Sequence, residues 1–286
     1  MSNTKYGKYL VRGPKPFETN EVLRRYTACL DDDVVKGSFF FNSAFMEPKY
    51  STGIHGPHTH PYAEALLFHG LNPDYPDELG WEVELHMGPE FETHTINKTT
   101  IIYCPPRFAH CPIISRMKQP AFHIYTMTGP LLVRDDYETF IKQEGVFERK
   151  YGKYFVSGPK PGETRSAYKK YTTYLDDDVI KGSFHFATTF IYNTVLPIEH
   201  DVHTHSYGEV LGFFGNNPDN QFDLGAEIEI CLGEESEKHT FNQSTVVYIP
   251  PGLVHGPVKC KQINRPFIFV ECSDGPNLVE KAYKPS

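Results

Sequence analysis

The strongest constraint on this chain is an internal repeat. Lys5-Tyr-Gly-Lys-Tyr9 returns as Lys150-Tyr-Gly-Lys-Tyr154, and LDDDVVKGSFFF returns as LDDDVIKGSFHF, both 145 residues on. Between 5–46 and 150–191, 25 of 42 positions are identical. The register then holds without a gap through His58/His203, Glu64/Glu209, His94/His239 and His110/His255. Self-similarity over nearly half of 286 residues reads as a tandem duplication, two domains of one fold. The expected division is 1–133 and 134–286. A short connecting helix is expected in 130–149, where Leu132, Val133, Phe140, Ile141 and Val146 interrupt charges in a weakly helical pattern. Whether the shared leader (GPKPxET, then LDDDVxKGSF) packs within its own copy or across the pair is open at this level.

Inside each copy the pattern is that of strands. FFFNSAF, AEALLFHG, WEVELHM, TTIIYCPP and FHIYTM are short, aromatic or β-branched, and bounded by Gly, Pro or Asn. The second copy repeats them as FHFATTF, GEVLGFFG, AEIEICLG, TVVYIPP and FIFVEC. Evenly spaced strands with turns such as NPDYPDE and GLVHGP predict an all-β chain of two tandem jelly-roll barrels with minor helix.

Charge excludes some functions. With 28 Lys and Arg against 36 Asp and Glu, the net charge of −8 argues against nucleic acid or an anionic membrane surface as partner. There is no run of 18 apolar residues to suggest a membrane span, and the first residues lack a signal-type apolar stretch, so a cytoplasmic location is expected. The six cysteines form no CxxC pair and none is repeated, so they read as buried small side chains rather than shared ligands. Cys111, directly after His110, is expected on the opposite face of a strand. Small β-barrels with open sheet edges also favour a homo-oligomer.

The chemistry concentrates in HTHPYAE (58–64) and HTHSYGE (203–209). Alternation along a strand points His58 and His60 the same way, and His203 and His205 likewise. After a turn, Glu64 or Glu209 comes alongside. Each copy then has a Pro-Pro pair four residues before a histidine, His110 or His255, which follows the glutamate by 46 residues in both. Three imidazoles and one carboxylate can hold a divalent transition ion with coordination positions left open. Between 47–64 and 192–209 only six positions are identical, namely His55, His58, Thr59, His60, Tyr62 and Glu64. The surroundings have drifted while the candidate ligands have not.

HxHxxxE followed by PxGxxH resembles the two signature motifs of the cupin superfamily, here as a bicupin over roughly 38–128 and 183–273. Pro250-Pro-Gly252-Leu-Val-His255 fits the second motif fully, whereas Arg107 stands where Gly252 does in the other copy. The resemblance implies double-stranded β-helix barrels with one divalent metal each (iron, manganese, nickel, zinc or cobalt). The implied ligands are His58, His60, Glu64 and His110 in the first barrel, and His203, His205, Glu209 and His255 in the second.

Other residues have two readings each. Tyr62 and Tyr207 sit between ligands and either contact a bound oxygen atom or pack at the turn. Arg107 can fork a carboxylate substrate or lie on the surface in a turn that no longer needs glycine. Glu84 and Glu229, with Glu82 and Glu227, alternate with apolar residues. They are acid–base groups if that face lines the barrel and solvated otherwise. Opposite parity to His58 points His55 and His200 away from the cavity, and His94 and His239 lie in charged stretches that read as exposed. His69, His86, His123 and His185 have no counterpart and read as structural.

The expected partner is a small organic acid or an enolisable or phenolic molecule. The leading reaction is dioxygenation. A metal-dependent isomerase or decarboxylase is the alternative, and a non-catalytic metal or ligand-binding cupin the third reading.

Overall fold

The computed structural model describes residues 4–15, 24–48, 55–117, 120–137, 150–160, 162, 169–194 and 201–283. His200 and residues 138–149 of the connecting helix expected over 130–149 lie outside the described residues; the described part, 130–137, has no helix and forms the strand Asp135–Asp136 instead. Within them the regular structure is nearly all strand, with two three-residue 3₁₀ turns at Gly7–Tyr9 and Gly152–Tyr154. Among the described residues no helix is long and apolar enough to cross a membrane.

Each half is two antiparallel sheets. In the first, a six-stranded sheet runs Phe155–Val156, Thr100–Cys104, Glu64–His69, Ala121–Met127, Phe40–Met46, Arg24–Leu30. The five-stranded sheet against it runs Asp135–Asp136, His58–Thr59, His110–Arg116, Glu78–Met87, Glu92–Lys98. In the second half the six-stranded order is Leu10–Val11, Thr245–Ile249, Glu209–Gly215, Phe267–Ser273, Phe186–Ile191, Lys169–Leu175. Its partner runs Glu237–Gln243, Asp223–Leu232, His255–Ile263, His203–Thr204, Lys281–Ala282.

Burial explains the two kinds of strand sequence. Glu78–Met87 buries Trp81, Val83, Leu85 and Met87 in its own barrel while Glu82, Glu84 and His86 turn outward. The six-stranded sheets are buried on both faces, which continuous apolar runs require. Phe40, Ala44, Met46, Leu66 and Phe68 fill the first barrel. The alternate residues Phe41, Phe45, Ala65, Leu67 and Phe122 pack between the halves against Phe186, Phe190, Val210, Phe214 and Val270. Each such phenylalanine contributes about 1.5–3 kcal/mol by leaving water, so this shared core welds the halves back to back. Thr126 Oγ1 and Cys272 Sγ, equivalent by strand register, meet at 3.9 Å near the pseudo-two-fold axis.

The leader crosses between halves, reciprocally. Leu10 and Val11 pair with Val247 and Val246, while Phe155 and Val156 pair with Ile102 and Ile101. Each crossing is latched by a tyrosine. Tyr6 donates from its amide to Glu237 at 3.1 Å and from its hydroxyl to Glu235 at 2.9 Å. Tyr151 does the same to Glu92 at 3.1 Å and Glu90 at 2.6 Å. The rings lie on Gly233 and Gly88, where an added Cβ would stand 2.3 and 2.2 Å from ring carbon. This crossing buries the histidines that read as exposed. His94 stacks on Phe155 with centroids 4.4 Å apart, and both His94 and His239 are buried.

Candidate metal centres

The His-x-His step places its rings by pairing as well as by alternation. His58 opens a two-residue strand and sits directly opposite His110 in the ladder, as His203 sits opposite His255. His60 and His205 follow one step beyond those strands, while Glu64 and Glu209 open strands of the facing sheets. Each cluster therefore forms between the two sheets of its barrel. Ring centroids in the first half are 4.8, 4.5 and 5.2 Å apart for His58/His60, His58/His110 and His60/His110. In the second half the corresponding separations are 6.0, 4.1 and 4.8 Å. In each triad the ligating nitrogens lie within 4.8 Å of one another.

Every one of these imidazoles has Nδ1 tied to a backbone carbonyl. The partners are Gly56, Val133 and Phe108 for His58, His60 and His110, at 2.7, 2.5 and 3.0 Å. For His203, His205 and His255 they are Asp201, Tyr207 and Leu253, at 2.7, 2.8 and 3.0 Å. An N–H committed at Nδ1 fixes the tautomer and leaves the Nε2 lone pair for a ligand; at His205, Nε2 is engaged by Glu209 Oε2 at 3.1 Å. Glu64 Oε2 stands 2.8 Å from His110 Nε2 and 3.5 Å from His60 Nε2, yet none of these three buried atoms has a hydrogen bond of sound geometry. Acceptors crowded together in this way are costly, and a divalent ion among them removes that cost. The residues fit such an ion.

The electrostatics agree. Burial alone would raise the Glu64 carboxyl, but His110, His60 and His58 hold it at about 2. Against the same burial, His205 and His255 hold Glu209 well below the usual carboxylate range. Burial, with His110 beside it, pushes His58 down to about 3. His110 moves the other way: against its burial, Cys104 and Glu64 raise it.

No protein-family model and no curated protein matches the sequence. Solved structures do match the fold. A serine-to-alanine variant of oxalate decarboxylase from Bacillus subtilis is similar at TM-score 0.64 and 10% identity, covering 96% of this chain and 78% of that one. An oxalate decarboxylase structure describing substrate binding and reaction specificity is similar at TM-score 0.60 and 12% identity, covering 92% and 76%. A third, concerned with the Mn(II) centres of the Bacillus subtilis enzyme, has TM-score 0.59 and 12% identity over 91% and 75%. The fold is a bicupin. At such identity the likeness carries the architecture, and the chemistry is argued from this chain's residues.

The walls of the two bicupin clusters differ in charge. In the first half a cavity of about 180 Å³ is lined by His58, His60, Glu64 and His110 and, beyond them, by Arg24, Tyr26, His55, His123, Tyr125 and Arg134. Arg24 Nη2 lies 3.0 Å from His55 Nε2, and Arg134 Nη1 lies 3.3 Å from His55 Nδ1. Burial, then the two arginines, pushes His55 down to about 4, so at neutral pH it is uncharged. A neutral imidazole accepts from only one guanidinium, and Arg134 Nη2 also lies 3.3 Å from Asp136 Oδ1. By ladder register Tyr125 corresponds to Glu271, since both face Leu66 or Leu211 and Asn42 or Ala187. Arg134 likewise corresponds to Glu280, from the pairs Asp135/Thr59 and Lys281/Thr204. Arg24 corresponds to Lys169, opposite Met46 and Ile191 respectively. Glu271 is buried, and Glu280 approaches His203 Nε2 at 3.8 Å. The first half therefore has Tyr125 and Arg134 where the second has two carboxylates, Glu271 and Glu280.

The other residues singled out from sequence fall elsewhere. Arg107 is exposed in the turn before His110, outside the residues lining the cavity. The turn still requires a left-handed residue, with φ +62° at Arg107 and +77° at Gly252; Arg107 accepts that strain while its amide donates to the His60 carbonyl at 2.6 Å. Tyr62 packs its ring over Gly129. Tyr207 stacks flat on His205, centroids 4.6 Å apart, and its hydroxyl donates to the Val279 carbonyl at 3.1 Å. Glu84 meets His86 at 3.1 Å on the outward face, and Glu229 faces Lys261 and Lys238 at 3.5 and 3.8 Å.

His55 departs from its parity expectation because it precedes the strand, in a bend where alternation does not apply. Cys111 also lines the cavity, held at φ +74° where the other half has Gly256. Arg24, Tyr26, Tyr125 and Arg134 escaped sequence reading because no local motif marks them. Arg24 and Arg134 lie 31 and 79 residues from His55 along the chain, and only the fold brings these segments together.

Proposed function

We propose that this bicupin is a metal-dependent enzyme that takes a small carboxylic acid at the first-half centre and removes carbon dioxide from it. One observation carries the reading: two guanidinium groups, Arg24 and Arg134, flank His55 in the wall of the same cavity as the His58/His60/Glu64/His110 cluster. Guanidinium forks match carboxylate geometry, and inside a partly desolvated cavity such bonds are stronger than in water. A cavity of about 180 Å³ is below the range of drug-sized pockets, which restricts the acid to a few heavy atoms. The names of the structural neighbours, oxalate decarboxylases, support the same class.

His58, His60, Glu64 and His110 would hold a divalent ion, which would supply Lewis acidity towards an acid bound beside it. Arg24 and Arg134 would hold and orient a carboxylate against that centre. Breaking the bond to the departing carboxylate leaves its electron pair on carbon, which must receive a proton as carbon dioxide leaves. Tyr26 and Tyr125, whose hydroxyls are 3.2 Å apart, line the cavity as proton sources. Burial, reinforced by Tyr26, keeps the Tyr125 phenol protonated far into the alkaline range, and Asn42 Nδ2 donates to its oxygen at 3.0 Å. In the second half, Glu271 and Glu280 repel an anion, which supports a centre that holds an ion without turning over an acid.

The test is a panel of small mono- and dicarboxylic acids offered to protein loaded with manganese, iron or cobalt, following carbon dioxide release and oxygen uptake together. Release without stoichiometric oxygen uptake is expected. Oxygen consumed one for one would return the reading to dioxygenation, and no turnover of any acid by metal-loaded protein would favour the non-catalytic module.

A further inference from the structure

The first-half cluster has a neighbour that its twin lacks. Cys104 pairs directly with Glu64 in the ladder, so both side chains rise on the same inward face; the equivalent pair in the second half is Glu209 and Ile249. Glu64, Cys104 and His110 are all buried, and their carboxylate oxygen, sulfur and ring nitrogen lie within 4.8 Å of one another. Donors on one ion at about 2.0–2.3 Å are at most about 4.4 Å apart, so small side-chain rotations bring the sulfur into the same coordination sphere. Glu64 Oε2 and His110 Nε2, the two atoms it would join, are the buried pair crowded together without hydrogen-bond geometry.

We propose that Cys104 is a further protein ligand of the first-half metal centre, a thiolate that gives this centre a preference for softer divalent ions than its twin. The proposal rests on the reading of the His/Glu cluster as a metal site and adds a donor to it. Thiolate ligands favour zinc, cobalt and iron, whereas an all-nitrogen-and-oxygen set such as His203, His205, Glu209 and His255 accepts manganese more readily. Both centres share one chain, so the difference is measurable inside a single molecule.

Cobalt(II) separates the two layers of the argument, because its visible bands report binding and a near-ultraviolet sulfur-to-cobalt charge-transfer band reports thiolate ligation. The full-length chain, stripped of metal and titrated with cobalt, is expected to take two equivalents and show the charge-transfer band for one. Cys104→Ser should abolish that band while two equivalents still bind, and Cys111→Ser should keep it. Ile249→Cys should create a second charge-transfer contribution, a gain that damaged folding cannot mimic. His203→Ala, emptying the second centre, should leave the band intact with one equivalent bound. Cobalt bound without the band in the parent chain, or a band surviving Cys104→Ser, overturns the thiolate ligand and leaves the metal centre standing. No cobalt uptake at all overturns both.

Discussion

Arg24 Nη2 lies 3.0 Å from His55 Nε2 in the wall of the first-half cavity. On the proposed reading, an arginine only 5% exposed, beside a histidine kept neutral by burial, would receive a carboxylate in an orientation set before the ligand arrives. Replacing Arg24 with alanine should therefore cost affinity for the acid rather than metal content. A charge-assisted hydrogen bond contributes about 1.5–3 kcal/mol, so KM or Ki should rise roughly 10- to 150-fold, with Arg24→Lys intermediate. Unchanged binding in Arg24→Ala would remove the arginine wall from the substrate site.

The differing wall charges predict unequal consequences for the two centres. His58→Ala and His203→Ala should each lose one metal equivalent, measured by elemental analysis. Turnover should fall more than about 100-fold in the first, since losing a ligand exceeds the 10–100-fold typical of its supporting partners, and change less than about twofold in the second. Equal losses would mean that both centres turn over substrate.

The crossed leaders predict that a change in one half is felt through the other. Gly233→Ala places a Cβ 2.3 Å from the ring of Tyr6, at φ +78°. Left-handed strain of about 1 kcal/mol and overpacking of about 1–3 kcal/mol should add. Gly158→Ala, at φ +86° with open space around it, should show the strain alone. Urea unfolding of the two variants separates the contributions, and equal midpoints would sink the latch.

Acid should destabilise the metal-free protein earlier than its carboxylates would suggest. Burial pushes His69 down to about 4, and burial with Arg24 nearby pushes His123 down to about 3. Both are depressed below an unfolded value near 6.5. Their neutral forms contribute full stability above that value, and the contribution is lost as pH falls from there towards 4 and 3. The slope approaches about 1.4 kcal/mol per pH unit for each histidine. Replacing His123 by phenylalanine, the residue at the equivalent register (Phe269), should flatten the curve between pH 6 and 4. An unchanged slope would show that His123 does not report its burial.

The legible part of the site was the part written locally. His58 and His60 share a face because side chains alternate, and the duplicated spacing to His110 and His255 exposed the third imidazole without any knowledge of the ladder. Parity misled at His55, which lies in a bend before the strand, and local charge misled at His94, which is buried by a phenylalanine 61 residues away in sequence, Phe155. Arg107 attracted notice as the residue replacing a motif glycine, yet the left-handed turn at that position points it to the surface.

The amino-acid sequence by itself determined the duplication, the all-β character and the metal-ligand pattern, because repeats, periodicity and short spacings are encoded along the chain. Only the tertiary structure decided how the surroundings of the two clusters differ in charge. Arg24, His55, Tyr125 and Arg134 converge through ladders joining distant strands, and Glu271 and Glu280 align with Tyr125 and Arg134 only by strand register. A one-residue difference in the hairpin between His110–Arg116 and Ala121–Met127, relative to its counterpart, shifts the sequence offset there from 145 to 146. Linear comparison therefore sets Tyr125 against Val270, while the hydrogen-bonded ladder sets it against Glu271, and the charge beside each cluster follows the ladder.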